Sequence, residues 1–446
     1  MPSETQRVKL GDLVRVKHGF AFKGEYFVDE PTSHVLVTPG NFAIGGGFQD
    51  VKLKFYRGPI PGDYVLKPGD LVVTMTDLSR AADTLGFSAV VPRHPSRVYL
   101  HNQRIGLVEV LQPEKVAKAW LHYLMRTAEY RAWVVGSASG STVKHTSPSR
   151  ICDFEFDLPA LHRQEEAAAL LDALEGRIDL LRQTNATLES IAQALFKSWF
   201  IDFDPVRAKA EGREPDGMDA ATAALFPSEF EESALGAIPK GWVHRPVDAL
   251  FDVGIGKTPP RKEPHWFSSD TGDVRWVSIR DMGDEGSIVS RTAEFLTNEA
   301  IAKFNVRRVP SHTVLMSFKL TVGRLAISDG EMVTNEAIAH FKARLESPSY
   351  AYLFCFLKSF DMRSLGSTSS IAEATNSRAV KSIPVLDPGA CASAFERLAL
   401  PLFERMFAIK RQWRVLDELR DMLLPRLISG KLRLPEAEAQ IEEAMA

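Results

Sequence analysis

The sequence predicts an α+β protein: two similar mixed α/β globular units separated by two long antiparallel coiled-coil helices, an internal duplication of pseudo-twofold character. Three observations predict it. Short motifs recur in the same order in the two halves, a heptad seam follows each recurrence, and charge divides two mildly basic globular stretches from an acidic connector.

The recurrence is a run of matched points. Gly140-Ser141-Thr142, then Ser149-Arg150, then a strand-like run ending Asp157-Leu158-Pro159 stand in the first half. Gly366-Ser367-Thr368, then Ser377-Arg378, then Ile383-Pro384-Val385-Leu386-Asp387-Pro388 stand in the second. Upstream, Asn102-Gln103-Arg104-Ile105 answers to Asn335-Glu336-Ala337-Ile338, and Leu10-Gly11-Asp12-Leu13 to Val247-Asp248-Ala249-Leu250. The period is too long and the copies too few for a solenoid. Two heads sharing a fold but presenting different surfaces fit the pattern.

Behind the first head, Leu171, Leu174, Ile178, Leu181, Asn185, Leu188, Ala192, Leu195 and Trp199 alternate in steps of three and four, with Phe200 just beyond. That is a coiled-coil seam. Asn185 falls at an a-type position, where a buried amide fixes register at a cost in stability. Behind the second head the seam reads Phe395, Leu398, Leu402, Ile409, Leu416, Leu419 and Leu423, interrupted at Arg405 and Gln412 and ended by Pro425. Each helix spans roughly 50–57 Å at ~1.5 Å per residue. One seam buried against the other, antiparallel and within one chain, is the simplest arrangement. The expected organisation is a head at 1–160, a helix at 161–203, a connecting loop at 204–239, a second head at 240–388, a helix at 389–430 and a tail at 431–446. The stretch Asp204 to Gly217, charged and broken by Pro and Gly, reads as a return loop.

Charge is distributed unevenly. The 446 residues carry a formal net charge of −3, with 45% hydrophobic and 25% charged side chains. Residues 1–155 hold 19 basic and 15 acidic groups, residues 156–239 hold 7 and 16, and residues 240–388 hold 19 and 17. The heads are thus mildly basic and the acid lies in the connecting segment, which permits nucleic-acid contact. No run of ~18 apolar residues exists to span a membrane, and Met1–Leu10 lacks the apolar core of a secretion signal. Cys152, Cys355 and Cys391 are far apart and odd in number, which fits a reducing cytoplasm and no disulfide framework.

The run Leu195-Phe196-Lys197-Ser198-Trp199-Phe200-Ile201-Asp202-Phe203-Asp204-Pro205-Val206-Arg207-Ala208-Lys209 resembles the central region of type I restriction–modification specificity subunits. Leu423-Leu424-Pro425-Arg426-Leu427-Ile428-Ser429-Gly430-Lys431-Leu432 is similar to the end of their second helix. Gly140-Ser141-Thr142-Val143-Lys144-His145, followed by Asp157-Leu158-Pro159, is similar to their target-recognition domains. The second half departs, because Gly366-Ser367-Thr368-Ser369-Ser370 has no Lys-His pair after it.

The resemblance implies a non-catalytic subunit binding double-stranded DNA, each head reading half of a split, asymmetric target. The helices would act as ruler and dock two modification subunits through Leu174, Ile178, Leu181, Asn185, Leu188, Leu195, Trp199 and Phe200, and through Leu402, Ile409, Leu416, Leu419 and Leu423. It implies no cofactor on this chain. The modification subunits would use S-adenosylmethionine for adenine methylation, and outer restriction subunits would use ATP and Mg. A coiled-coil interaction scaffold without a DNA role is the alternative.

The residues themselves offer no catalyst. The Asn-Pro-Pro-aromatic tetrapeptide of adenine methyltransferases is absent. Gly254-Ile255-Gly256-Lys257-Thr258 lacks the first glycine of a phosphate loop, and Pro259-Pro260 prevents the helix that would hold phosphate. No HExxH or Cys-His cluster suggests a metal. Base edges and phosphates are read by Arg, Lys, Asn, Gln, Ser, Thr and His on loops. The candidates are Lys17, His18, Lys23, Thr76, Arg80, Arg104, Ser141, Thr142, Lys144 and His145 in the first head. In the second they are Lys257, Thr258, Arg261, Arg280, Lys319, Arg324, Ser367, Thr368 and Asn376.

Overall fold

Alternating and continuous apolar runs such as Val35-Leu36-Val37 and Leu71-Val72-Val73 become strands buried on both faces, because β-branched side chains fit a pleated surface. A computed structural model describes residues 5–79, 81–141, 143–365 and 375–445. Arg80, Thr142, Ser367 and Thr368 lie outside the described residues. The chain divides into two compact units, Met1–Asp179 with Trp413–Ala446, and Leu180–Gln412. Each takes part of both long helices, Leu161–Phe200 and Ala390–Ile428.

In the first unit a four-stranded antiparallel sheet runs in the order Val14–His18, Ile105–Val110, Leu71–Thr74, Ser88–Val90. A five-stranded sheet runs Phe27–Val28, Lys54–Tyr56, His34–Val37, Val98–His101, Val65–Leu66. Within it, His34–Val37 and Val98–His101 are parallel. Thr5–Lys9 pairs antiparallel with Glu155–Pro159, so the head closes where the long helix begins. Val35, Val37, Val72, Ala89 and Ile105 form part of one apolar cluster in this head.

The second unit repeats this plan. Phe251–Ile255, Ile338–Ala343, Val314–Ser317 and Leu325–Ser328 stand in the same order, with Ile288–Val289 added at the edge. Phe267–Ser268, Glu294–Leu296, Val274–Val277 and Val333–Thr334 form the second sheet, again with its parallel pair. Val243–Pro246 and Pro384–Asp387 close the head. The duplication seen at scattered points of sequence is a duplication of topology.

The helices pair antiparallel inside each unit. In the first, His162, Arg163 and Glu166 share a groove with Leu427, Gly430 and Leu432. Leu171, Leu174, Ile178, Leu416, Leu419 and Leu423 are buried there. In the second, Asn185 Nδ2 donates to the Met406 carbonyl at 3.2 Å, and the Phe196 and Phe395 rings meet at 5.6 Å. Leu181, Ile409, Trp199 and Phe200 are buried, while Leu188, Leu195 and Leu402 are half-buried.

The second seam differs from its heptad reading: Leu398 is exposed, and Phe395, Ala399, Phe403, Met406 and Phe407 carry the buried face. This helix packs on its own head as well as on its partner, so its apolar stripe is wider and follows the 3.6-residue period. Lys410 lies on that stripe, buried, with its ammonium donating to the Glu285 carbonyl at 2.9 Å and 3.3 Å from the Glu285 carboxylate.

Three other expectations change. The connector is ordered, with helices Asp204–Ala210 and Ala220–Leu225 and a hairpin of Phe230–Ser233 with Gly236–Pro239. Pro205 stands in a first helical turn, where no backbone donor is needed, and Val206 and Phe226 are buried. Pro425 does not end the second helix, which runs on to Ile428, and Gly430 in left-handed geometry follows. Residues expected as a tail form the helix Leu434–Met445, with Leu432 and Ala437 buried. Among the described residues no helix is long and apolar enough to cross a membrane.

Candidate nucleic-acid interface

One end of the four-stranded sheet in the first unit gathers a cluster of loops. Val98–His101 leads into a turn at Asn102, whose Oδ1 accepts from the Arg104 backbone N–H at 3.0 Å. The Arg104 carbonyl in turn accepts from Met75 N at 2.9 Å, fastening that turn to the loop after Leu71–Thr74. Ser139 bridges antiparallel to His145, and Gly140 adopts φ +96°. The strand Lys144–His145 pairs antiparallel with Thr76–Asp77, and the His145 ring meets the Thr76 hydroxyl at 3.2 Å.

The structure therefore brings Thr76, Arg104, Ser141, Lys144 and His145 to one loop cluster. Arg104, Ser141 and His145 are exposed, Lys144 is half-buried and Thr76 is buried. Beside them a cleft of ≈460 Å³ is lined by Lys52, Lys54, Asp77, Leu78, Asn102, Gln103 and Arg104. Other candidates are engaged elsewhere. Lys17 donates to the Asp63 carbonyl at 2.8 Å and lies over the Tyr64 ring. His18 is exposed against the Gly19 carbonyl, and Lys23 is exposed 3.8 Å from Glu25.

Sequence reasoning missed Asp77, which shapes the loop. Its carboxylate accepts from Ser79 N at 2.6 Å and from Thr84 Oγ1 at 2.7 Å. Burial raises its pKa, but these hydrogen bonds outweigh burial and hold it below the usual carboxylate value. The signal was an Asp two residues before a Ser in a polar stretch, the pattern of an Asx turn. Lys52 and Lys54 were missed because nothing in the chain marks which surface lysines share a cleft.

The second unit builds the same cluster from different side chains. Asn335 Oδ1 accepts from Ala337 N at 3.0 Å, and Phe318 N donates to the Ala337 carbonyl at 2.9 Å. Lys257 N donates to the Thr334 carbonyl, and the Thr258 hydroxyl donates to the Glu336 carboxylate. Lys319 is exposed on the loop after Val314–Ser317, while Arg324 Nη1 donates to the Ile279 carbonyl at 2.6 Å. Arg261 is engaged, bidentate to Glu294 at 2.7 and 2.9 Å and stacked on the Phe267 and Trp276 rings. Arg280 is exposed near Asp284, and Asn376 caps the helix Ser377–Lys381 through Ala379 N.

Each head is thus a rigid two-sheet frame presenting polar and cationic loops at one sheet end. Among the described residues no three His, Cys, Asp or Glu side chains are grouped to hold a metal. Residues 239–385, the second head, match the family described as the type I restriction modification DNA specificity domain. The chain is 27% identical over 349 residues to the HindI type I restriction enzyme specificity subunit of Haemophilus influenzae, covering 69% of this chain and 75% of that protein. It is 22% identical over 352 residues to the MjaIX specificity subunit of Methanocaldococcus jannaschii, covering 74% and 73%. The crystal structure of a type I restriction–modification S subunit from M. genitalium shares the fold, with a TM-score of 0.56 at 12% identity over 95% of this chain and 96% of that one. The duplicated two-sheet heads, each carrying part of both long helices, have the fold of that S subunit. Over most of its length the chain is similar to type I restriction enzyme specificity subunits, and its second head to their DNA specificity domain.

Proposed function

We propose that this chain selects the DNA sequence on which a type I restriction–modification complex acts, and that it performs no chemistry itself. Each head reads one half of a bipartite, asymmetric target in double-stranded DNA. The paired helices set the gap and dock two modification subunits, which supply S-adenosylmethionine-dependent adenine methylation. Restriction subunits using ATP and Mg join that assembly. No cofactor is required on this chain.

One observation carries the reading: the same loop cluster is built twice on the same frame with different side chains. Thr76, Asp77 and Leu78 in one head stand against Lys319, Leu320 and Thr321 in the other, and Gln103-Arg104 against Glu336-Ala337. Equal frames with unequal loops are what an asymmetric two-part target requires. An interaction scaffold without a DNA role needs neither.

Salt separates the two. With modification subunits bound, affinity for a random duplex should fall steeply and linearly on a log–log plot against salt, because phosphate contacts release counterions. The slope should become shallower when Lys144 or Lys319 is replaced by Ala. A flat salt response in the assembled complex contradicts DNA reading.

A further inference from the structure

Each head exposes one leucine in the middle of its loop cluster. After Leu71–Thr74 the chain passes buried Met75 and reaches Leu78, which is 61% exposed. After Val314–Ser317 it passes buried Phe318 and reaches Leu320, which is 74% exposed. The two loops are equivalent by their bonding. Thr74 and Ser317 oppose Ile105 and Ile338, the first residues of matching strands. Met75 and Phe318 each donate to the Asn-turn carbonyl and accept from a later threonine, Thr146 or Thr375.

Neither leucine is explained by folding. Leu320 is held at φ +65°, a conformation that a bulky side chain seldom adopts, and its exposure returns no burial for that strain. Leu78 stands on the wall of a cleft whose other members include Lys52, Lys54 and Arg104. Lys319 precedes Leu320 and is exposed with it. An exposed apolar tip with cations beside it, Lys52, Lys54 and Arg104 in one head and Lys319 in the other, fits a polyanion with an apolar interior, the stacked bases of duplex DNA.

We infer that Leu78 and Leu320 are wedges that enter a base step in their respective half-sites and partly unstack it. This rests on the DNA-reading assignment above. The wedge adds a preference for steps that unstack readily, such as TA and CA/TG, at positions no polar side chain contacts. It separates affinity, supplied by the cations, from deformation, supplied by the leucine.

The test uses the full chain bound to its modification subunits, on a target duplex identified by methylation sequencing. 2-Aminopurine replaces each purine in turn, leaving out the methylated adenines, and its fluorescence reports unstacking. The wild-type complex should brighten one step in each half-site. Leu78→Ala should remove the signal in one half-site and Leu320→Ala in the other, while Leu→Phe at either position restores it. The salt slope should stay unchanged in all four variants. Bound complexes whose fluorescence pattern is the same with leucine or alanine overturn the wedge and leave the DNA-reading assignment standing. Loss of modification-subunit binding with unstacking intact also overturns it, by giving the leucines to a protein partner. Failure of the wild-type complex to bind duplex overturns both.

Discussion

Gly19 lies against the backbone of Asn102 so closely that a β-carbon on the glycine would overlap the Asn102 carbonyl. Gly256 stands in the same relation to Asn335 in the second head. Each glycine lets the end of one strand pass beside the Asn turn, and that turn fastens the loop bearing Thr76 or Lys319.

Gly19→Ala is therefore expected to displace the first head's loop cluster and to destabilise that unit by about 1–3 kcal/mol through overpacking against backbone. The change should weaken recognition of one half-site and leave the other intact. Thermal unfolding and methylation of each half-site variant check it. Unchanged stability with unchanged recognition contradicts the packing account.

Asn185 donates to the Met406 carbonyl, but its Oδ1 is buried without a hydrogen-bond partner among the described residues. A half-satisfied amide costs stability and fixes register. Asn185→Leu is expected to raise the stability of the second unit by about 1 kcal/mol and to keep the DNA target unchanged. Chemical denaturation and methylation sequencing measure the two. A changed target shows that Asn185 acts in recognition.

Three histidines are buried neutral. Burial first, then the nearby Arg126 charge, brings His122 down to about 3. Burial lowers His101 to about 4 against an opposing hydrogen bond to the Ile105 carbonyl. Burial and the Arg307 charge lower His340 to about 4. The unfolded chain binds protons at these sites near pH 6.5, above the folded values, so stability is full above that pH and falls as pH drops toward 4. Each should cost about 2 kcal/mol between pH 7 and 5. His340→Gln should flatten the fall, and an equally steep fall in the variant contradicts the assignment.

How much of this was legible follows from range. The helices and the duplication show in sequence because heptads and repeated motifs are local patterns. Lys144 and His145 were found as a motif, and the structure sets them on Thr76 and Asp77. Arg261 was chosen for its charge, but its partner Glu294 lies 33 residues away, so its engagement was not readable. Pro425 reads as a stop in sequence, but a proline's effect depends on its place in the helix, and this helix runs on to Ile428. Nothing in the sequence marks Leu78 and Leu320, since exposure is a property of the fold.

The central claim is that each head reads its own half of the target. Replacing residues 1–155 with the corresponding head of another family member, and sequencing methylated adenines in cells that also carry the modification subunit, tests it most directly. The account predicts that one half of the target changes while the other half and the gap persist. A swap that alters both halves, or leaves both unchanged, contradicts it.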